Sequence, residues 1–129
     1  MRPRSRRRMA ALAGAAVMVI AALSLAGLQM LIAWEAAAVG DQAARRFPGD
    51  RVEALARLVQ CEGCALRERN RAVWALGELG GTRALPALES RHTGGPCLHR
   101  VALCQYELDK AIRKIRGDWG VPRVLGGSL

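Results

Sequence analysis

The chain has 129 residues and a formal net charge of +9 at pH 7, which allows one small domain with short appended segments. Five arginines precede residue 9, and removing their charge from +9 leaves only +4 for the remaining chain. A nucleic-acid-binding domain concentrates basic residues on its folded surface, so this distribution argues against a nucleic-acid partner.

An uncharged apolar stretch runs from Met9 to Trp34. A helix needs about 20 such residues to cross the hydrocarbon core of a membrane. Arginines stand before this stretch, whereas acidic and basic residues mix after it, and the positive-inside rule then leaves the N-terminus in the cytoplasm. We predict a cytoplasmic basic tail at 1–8, a transmembrane signal anchor at 9–34, and an extracytoplasmic location for everything beyond.

Two other interpretations of this stretch stay open. A cleaved signal peptide would use Ala36-Ala37-Ala38 as its small-residue site, although the apolar core of signal peptides is usually only about 7–15 residues long. A buried helix of a soluble protein is the third possibility. The length of the apolar stretch favours the uncleaved anchor in a single-pass cell-membrane protein.

The segment 35–49 is predicted to be a linker, containing at most a short helix that breaks at Phe47-Pro48-Gly49. Asp50 is a good N-cap for the next helix. That helix is expected to end near Cys61, and its apolar face consists of Val52, Leu55, Ala56 and Val59.

A second helix is predicted to run from Leu66 or Arg67 to Gly80, where a glycine can adopt the left-handed conformation that ends helices. Its apolar stripe consists of Ala72, Val73, Leu76 and Leu79. A third helix, from Thr82 to about Ser90, has Thr82 as its predicted cap, and Pro86 should bend it or restrict it to short arms.

The last helix is predicted from about Leu98 to Arg116, followed by a tail at 118–129. Spacings of three and four residues place both nearby cysteines on its core-facing stripe, which comprises Cys97, Val101, Cys104, Leu108, Ala111 and Ile115. Similar pairs of apolar residues recur after about 33 to 36 residues, which is typical of an α-solenoid. We therefore predict an all-α protein, with a transmembrane helix followed by a repeat domain of about two helical hairpins at 50–117.

The central hairpin resembles the HEAT-like repeats first named from phycobilisome lyases. The matching residues are Arg71, Ala72, Ala75-Leu76-Gly77-Glu78-Leu79-Gly80 and Ala84-Leu85-Pro86-Ala87-Leu88. The resemblance implies a helix–turn–helix unit in which the proline is a normal feature, and a surface used for binding. We do not expect this chain to attach bilins as those lyases do, because the resemblance carries over no acid or base group.

Four cysteines lie beyond the apolar stretch: Cys61, Cys64, Cys97 and Cys104. A location outside the cytoplasm favours disulfides, which would stabilise so small a domain. Three pairings are possible, and we favour Cys64–Cys97 with Cys61–Cys104, because hairpin geometry brings the turns 61–67 and 91–98 to one end of the repeat.

Two chemical alternatives remain for these cysteines. Cys61-Glu62-Gly63-Cys64 has the spacing of thiol-redox motifs, but a helix rather than a strand precedes it. Zinc is the other alternative, with His92 or His99 able to complete a set of cysteine ligands. We predict structural disulfides instead, with no catalytic residue, no metal and no cofactor.

A protein partner is the expected ligand of the repeat domain. Trp74 and Arg69 are the candidate contact residues, since tryptophan and arginine are enriched at binding hot spots. For Trp74 the alternative is partial burial between the hairpins, and for Arg69 it is a solvated helix face. The function predicted from the sequence is thus a membrane-tethered, extracytoplasmic interaction or scaffolding module without enzymatic activity.

Overall fold

The computed structural model describes residues 3–118, which form helices and turns without any strand. The helices are α1 (Pro3–Ala44), α2 (Arg51–Gln60), α3 (Leu66–Leu79), α4 (Leu85–Glu89) and α5 (Gln105–Arg116). A 3-10 turn at Thr82–Ala84 directly precedes α4. The predicted all-α fold class is confirmed.

The chain divides into two compact units, Met1–Ala33 and Trp34–Leu129. The described part of the first unit is a single helical segment that exposes its apolar side chains, with Met18 and Met30 exposed by 71% and 74%. Water disfavours so large an apolar surface, whereas lipid tails do not. Among the described residues, the helical stretch Arg4–Ala44 is long and apolar enough to cross a membrane.

The second unit contains two stacked helical hairpins, as predicted. Helix α2 packs against α3 and α4, and both α3 and α4 pack against α5. The amphipathic spacing of each helix directs its large apolar side chains into one shared core. The largest fully buried side chains are Leu55, Leu76, Leu88, Leu108, Val59 and Val73.

The predicted linker is largely helical and contributes to this core. Helix α1 continues to Ala44, and Ala36, Val39 and Ala43 are buried among the residues of the hairpins. Ion pairs fasten the same stretch, including Glu35 with Arg71 at 3.1 Å. The sequence pattern missed this packing because two of these three residues are small alanines, which do not stand out as an apolar stripe.

The ends of α2 and α3 follow their predicted signals. An Asp50 carboxylate oxygen accepts a hydrogen bond from the Glu53 backbone N–H at 3.0 Å, and α3 ends at Gly80 with φ of 73°. Thr82 makes no capping bond with its side chain, so that prediction was wrong, because the chain enters a 3-10 turn there. Pro86 lies in the first turn of the short helix α4, which confirms the restriction to short arms.

A glycine allows α3 and α5 to pack closely. A Cβ atom built on Gly77 would lie 3.2 Å from the Cα atom of Ala111 on α5. Ordinary carbon–carbon contacts lie farther apart, at about 3.5–4.0 Å. The glycine within the repeat pattern therefore sets how closely the two hairpins approach.

Helix α5 begins at Gln105 rather than at Leu98, so the predicted extent of this helix was wrong. Val101, assigned to the buried stripe, is 80% exposed. Side chains from elsewhere bind the backbone of this segment, since the Cys104 N–H donates to the Asn70 Oδ1 at 3.0 Å. These bonds hold an irregular loop where the spacing alone favoured a helix. The predicted tail lies outside the described residues except for Asp118.

Candidate functional site

The cysteines form two local pairs. Cys61 and Cys64 are joined by a disulfide across the turn that follows α2, with their Cα atoms 5.4 Å apart. The favoured pairing between the two turns was therefore wrong. A backbone hydrogen bond from the Cys64 N–H to the Cys61 carbonyl folds this turn tightly, which brings the cysteines of the CxxC sequence together.

The second pair, Cys97 and Cys104, consists of two thiols whose Sγ atoms lie 2.8 Å apart. Cys97 is half-buried in the middle of the loop between α4 and α5, and Cys104 is buried immediately before α5. The bridges predicted for these two residues, Cys64–Cys97 and Cys61–Cys104, are not formed, because Cys61 and Cys64 are bonded to each other. The burial of Cys104 agrees with its predicted core-facing position, although the residue precedes the helix instead of lying within it.

The two thiols have different electrostatic environments. The hydrogen bond with the Cys104 thiol lowers the pKa of Cys97, and the Tyr106 backbone N–H, which donates to its Sγ at 3.2 Å, lowers this pKa further. Burial raises the pKa of Cys104, and the bond with Cys97 adds to this increase. Cys97 is thus the thiol that ionises more readily, at the N-terminus of α5.

A histidine completes a cluster of possible metal ligands. One ligand atom from each of Cys97, His99 and Cys104 can be chosen such that all three lie within 4.8 Å of one another. His92, the other histidine of the chain, has its Nε2 atom 4.0 Å from a carboxylate oxygen of Asp109. Cys61 and Cys64 cannot join this cluster as zinc ligands, because their sulfur atoms are bonded to each other.

The two turns do meet at one end of the repeat, as hairpin geometry predicted. Arg91 connects them, donating to the Gln60 carbonyl at 3.0 Å and to a Glu62 carboxylate oxygen at 3.2 Å. The Gln105 side chain holds the longer loop, accepting from the Thr93 N–H at 2.7 Å and donating to the Arg91 carbonyl at 3.2 Å. Sequence reasoning missed this role of Gln105, since no local pattern marks it.

Of the two candidate partner contacts, Arg69 has a structural role. Its Nε and Nη2 atoms both donate to the Val59 carbonyl, at 3.0 and 2.8 Å. Because this carbonyl lies in the last turn of α2, the guanidinium satisfies a group that the helix leaves unbonded. Arg69 is half-buried and tied to α2, so the prediction of an exposed helix face was wrong for this residue.

Trp74 is partly buried against the core, where α3 meets α5. The groove beside it is bordered by Glu107 and Lys110 on α5. An ion pair between Glu78 and Lys114, with a distance of 2.6 Å, lies along the same groove. The Trp74 ring therefore packs against the core, and its edge lies close to charged side chains.

Comparison with known proteins identifies the segment that contains most of α3 together with α4. Residues 68–90 match the family model described as PBS lyase HEAT-like repeat. This range covers most of α3, the 3-10 turn and α4, which confirms the resemblance seen in the sequence. No curated protein and no solved structure matches the chain.

Proposed function

We propose that this protein is an interaction module held at the outer face of a membrane by its uncleaved N-terminal helix. The observation that carries the proposal is the contrast in exposure along the chain. Large apolar side chains in the described part of the first unit, such as Met18 and Met30, are exposed, whereas the second unit buries an apolar core of its own. A bilayer supplies the missing environment for the first segment.

Two features support the outward orientation. Arginines at positions 2, 4, 6, 7 and 8 precede the apolar stretch, and the positive-inside rule keeps such a tail in the cytoplasm. The Cys61–Cys64 disulfide is the second feature, because disulfides persist in oxidising compartments and are rare in the cytoplasm.

The partner-binding surface that we propose is the groove between α3 and α5 around Trp74. HEAT-like repeats commonly bind other proteins, and the partly buried Trp74 ring supplies the kind of aromatic anchor on which protein interfaces depend. Glu107 and Lys110 border the ring and provide polar groups for the rim of an interface. Arg69 is left out of this surface because its guanidinium is bonded to α2.

Reporter fusions to the full chain test the membrane topology. Alkaline phosphatase fused after Leu129 should be active, and a fluorescent protein that matures only in the cytoplasm should stay dark at the same position. Exchanging the five N-terminal arginines for serine should weaken this difference, since they orient the helix. Fluorescence of the unaltered fusion without phosphatase activity would contradict the proposal.

Photocrosslinking in intact cells tests the binding surface. A photoreactive amino acid placed at Lys110 should give discrete adducts with another protein, and the same group at Arg57, exposed on α2, should not. The adducts at position 110 should diminish in a Trp74→Ala background that is still folded by protease resistance. Equal adducts from both positions would reject the α3–α5 groove as the interface.

A further inference from the structure

The cluster at the start of α5 contains three donors that soft and borderline metal ions prefer. Cys97 and Cys104 each offer a sulfur atom, and His99 offers an imidazole nitrogen from the exposed side of the loop. Thiolate and imidazole ligands together are typical of zinc sites. No residue of this cluster takes part in the interaction surface proposed above, so the two proposals stand independently.

Distances alone do not distinguish a metal site from a disulfide. The two Sγ atoms are 2.8 Å apart. They would have to approach to about 2.05 Å to form a disulfide, and to separate to about 3.8 Å to lie at two corners of a zinc tetrahedron. The observed separation lies between these two values, so the groups around the sulfur atoms provide the evidence for one arrangement or the other.

The surroundings favour negatively charged sulfur. The Tyr106 backbone N–H donates to the Cys97 Sγ at the N-terminus of α5, where the helix dipole also stabilises negative charge. A disulfide sulfur gains little from such a donor, while a metal-bound thiolate gains a charge-assisted hydrogen bond. The third donor, His99, has no role in a disulfide.

The loop is also held in place from outside. Asn70 on α3 binds the Cys104 N–H, and Gln105 binds backbone groups on both sides of the loop. Metal sites need ligands that outer hydrogen bonds of this kind hold in position. We propose that Cys97, His99 and Cys104 bind one Zn²⁺ ion, as two thiolates and a neutral imidazole, with water in the fourth position.

Binding proceeds without any change of oxidation state. The two thiol protons pass to solvent, two Zn–S bonds and one Zn–N bond form, and the ion loses the water molecules that it exchanges for them. The bound ion would join the loop after α4 to the start of α5. It would also shield both sulfur atoms from oxidation in a compartment where Cys61 and Cys64 are already paired.

The test uses the full chain purified in detergent without reductant. Elemental analysis should give one zinc per chain, and alkylation should label two thiols only after removal of zinc with a chelator. His99→Ala should weaken zinc binding by at least about tenfold. His92→Ala is the matched control and should leave the affinity unchanged.

Cobalt(II) provides a second readout, which the unaltered chain gives without any substitution. The zinc-free chain should develop thiolate-to-cobalt charge-transfer absorption, which Cys97→Ser should reduce and Cys61→Ser with Cys64→Ser should leave intact. Three results would each overturn the proposal: a Cys97–Cys104 disulfide in the purified chain, two free thiols without stoichiometric zinc, or equal zinc affinity of the His99→Ala and His92→Ala variants.

Discussion

The two helical hairpins of the repeat domain share a core but are held together differently. The first joins α2 to α3 through a short turn closed by the Cys61–Cys64 disulfide and by Arg69. The second joins the five-residue helix α4 to α5 through a long loop at 90–104. Polar side chains, chiefly Asn70 and Gln105, keep that loop in place.

This comparison shows how one repeat pattern yields two different kinds of hairpin. Where both helices are long, their packing positions the turn, and the turn needs only local bonds. Where one helix has little more than one turn, the loop depends on hydrogen bonds from neighbouring elements. Such a loop can carry chemistry, because side chains of the packed helices hold it in a conformation that is not helical.

The largest effect is expected for the core that both hairpins share. Leu76→Ala on α3 removes a fully buried side chain and should cost about 2–5 kcal/mol. Leu98→Ala, in the loop of the second hairpin, alters a side chain that is 55% exposed and should cost less than about 0.5 kcal/mol. Pulse proteolysis of the full chain in micelles across a urea series measures both, and equal costs would contradict the assigned core.

The next effect distinguishes the bonds within the first hairpin. Arg69→Ala leaves the Val59 carbonyl without its two donors and should cost about 1.5–3 kcal/mol, the range for charged hydrogen bonds. Arg67→Ala, at an exposed position on the same helix, should stay within about 0.5 kcal/mol. The same urea series compares them, and a neutral Arg69→Ala would remove the proposed role of Arg69 in joining the two helices.

The disulfide of the first hairpin should contribute moderately. A bridge that closes so short a loop restricts the unfolded chain little, and the chain-entropy model gives about 2 kcal/mol. Cys61→Ser with Cys64→Ser should lower the urea midpoint accordingly. Dithiothreitol should lower the midpoint of the unaltered chain but not that of the double variant. A further decrease in the double variant would reveal a disulfide at Cys97 and Cys104.

The second hairpin should respond to loss of the side chain that holds its loop. Gln105→Ala removes hydrogen bonds to Thr93 and Arg91 and should cost about 1 kcal/mol. Amide hydrogen exchange should also accelerate in the loop 90–104 while α2 and α3 stay protected. Gln60→Ala, exposed at the end of α2, is the control. Uniform acceleration over the whole domain would indicate that the loop has no separate stability.

The smallest effect concerns the N-cap of α2 and depends on pH. The Glu53 backbone N–H, followed by Arg83, lowers the pKa of Asp50. A lowered pKa in the folded state means that the stabilisation is complete above the unfolded value of about 3.9 and is lost as the pH falls through the lower, folded value. The urea-midpoint difference between the unaltered chain and Asp50→Asn should therefore shrink from pH 6 to pH 2. A constant difference would show that the charge of Asp50 does not contribute.

The sequence by itself determined the helices that carry strong local signals. Asp50 accepts a capping bond, Gly80 permits a left-handed ending, and the stripe around Leu76 directs one face inward. The apolar stretch after the arginines and the HEAT-like pattern are local signals of the same kind. Each of these features depends on residues within a few positions of one another, so the linear pattern contains the physical cause.

Tertiary structure decided what depends on distant groups. The small residues after Trp34 became core because the hairpins cover them, and the start of α5 moved to Gln105 because Asn70, remote in sequence, binds the loop backbone. The pairing of the cysteines likewise depended on how tightly the turn after α2 folds. Spacing restricts such contacts without selecting among them, because the partner of a polar group is fixed only when the elements are packed.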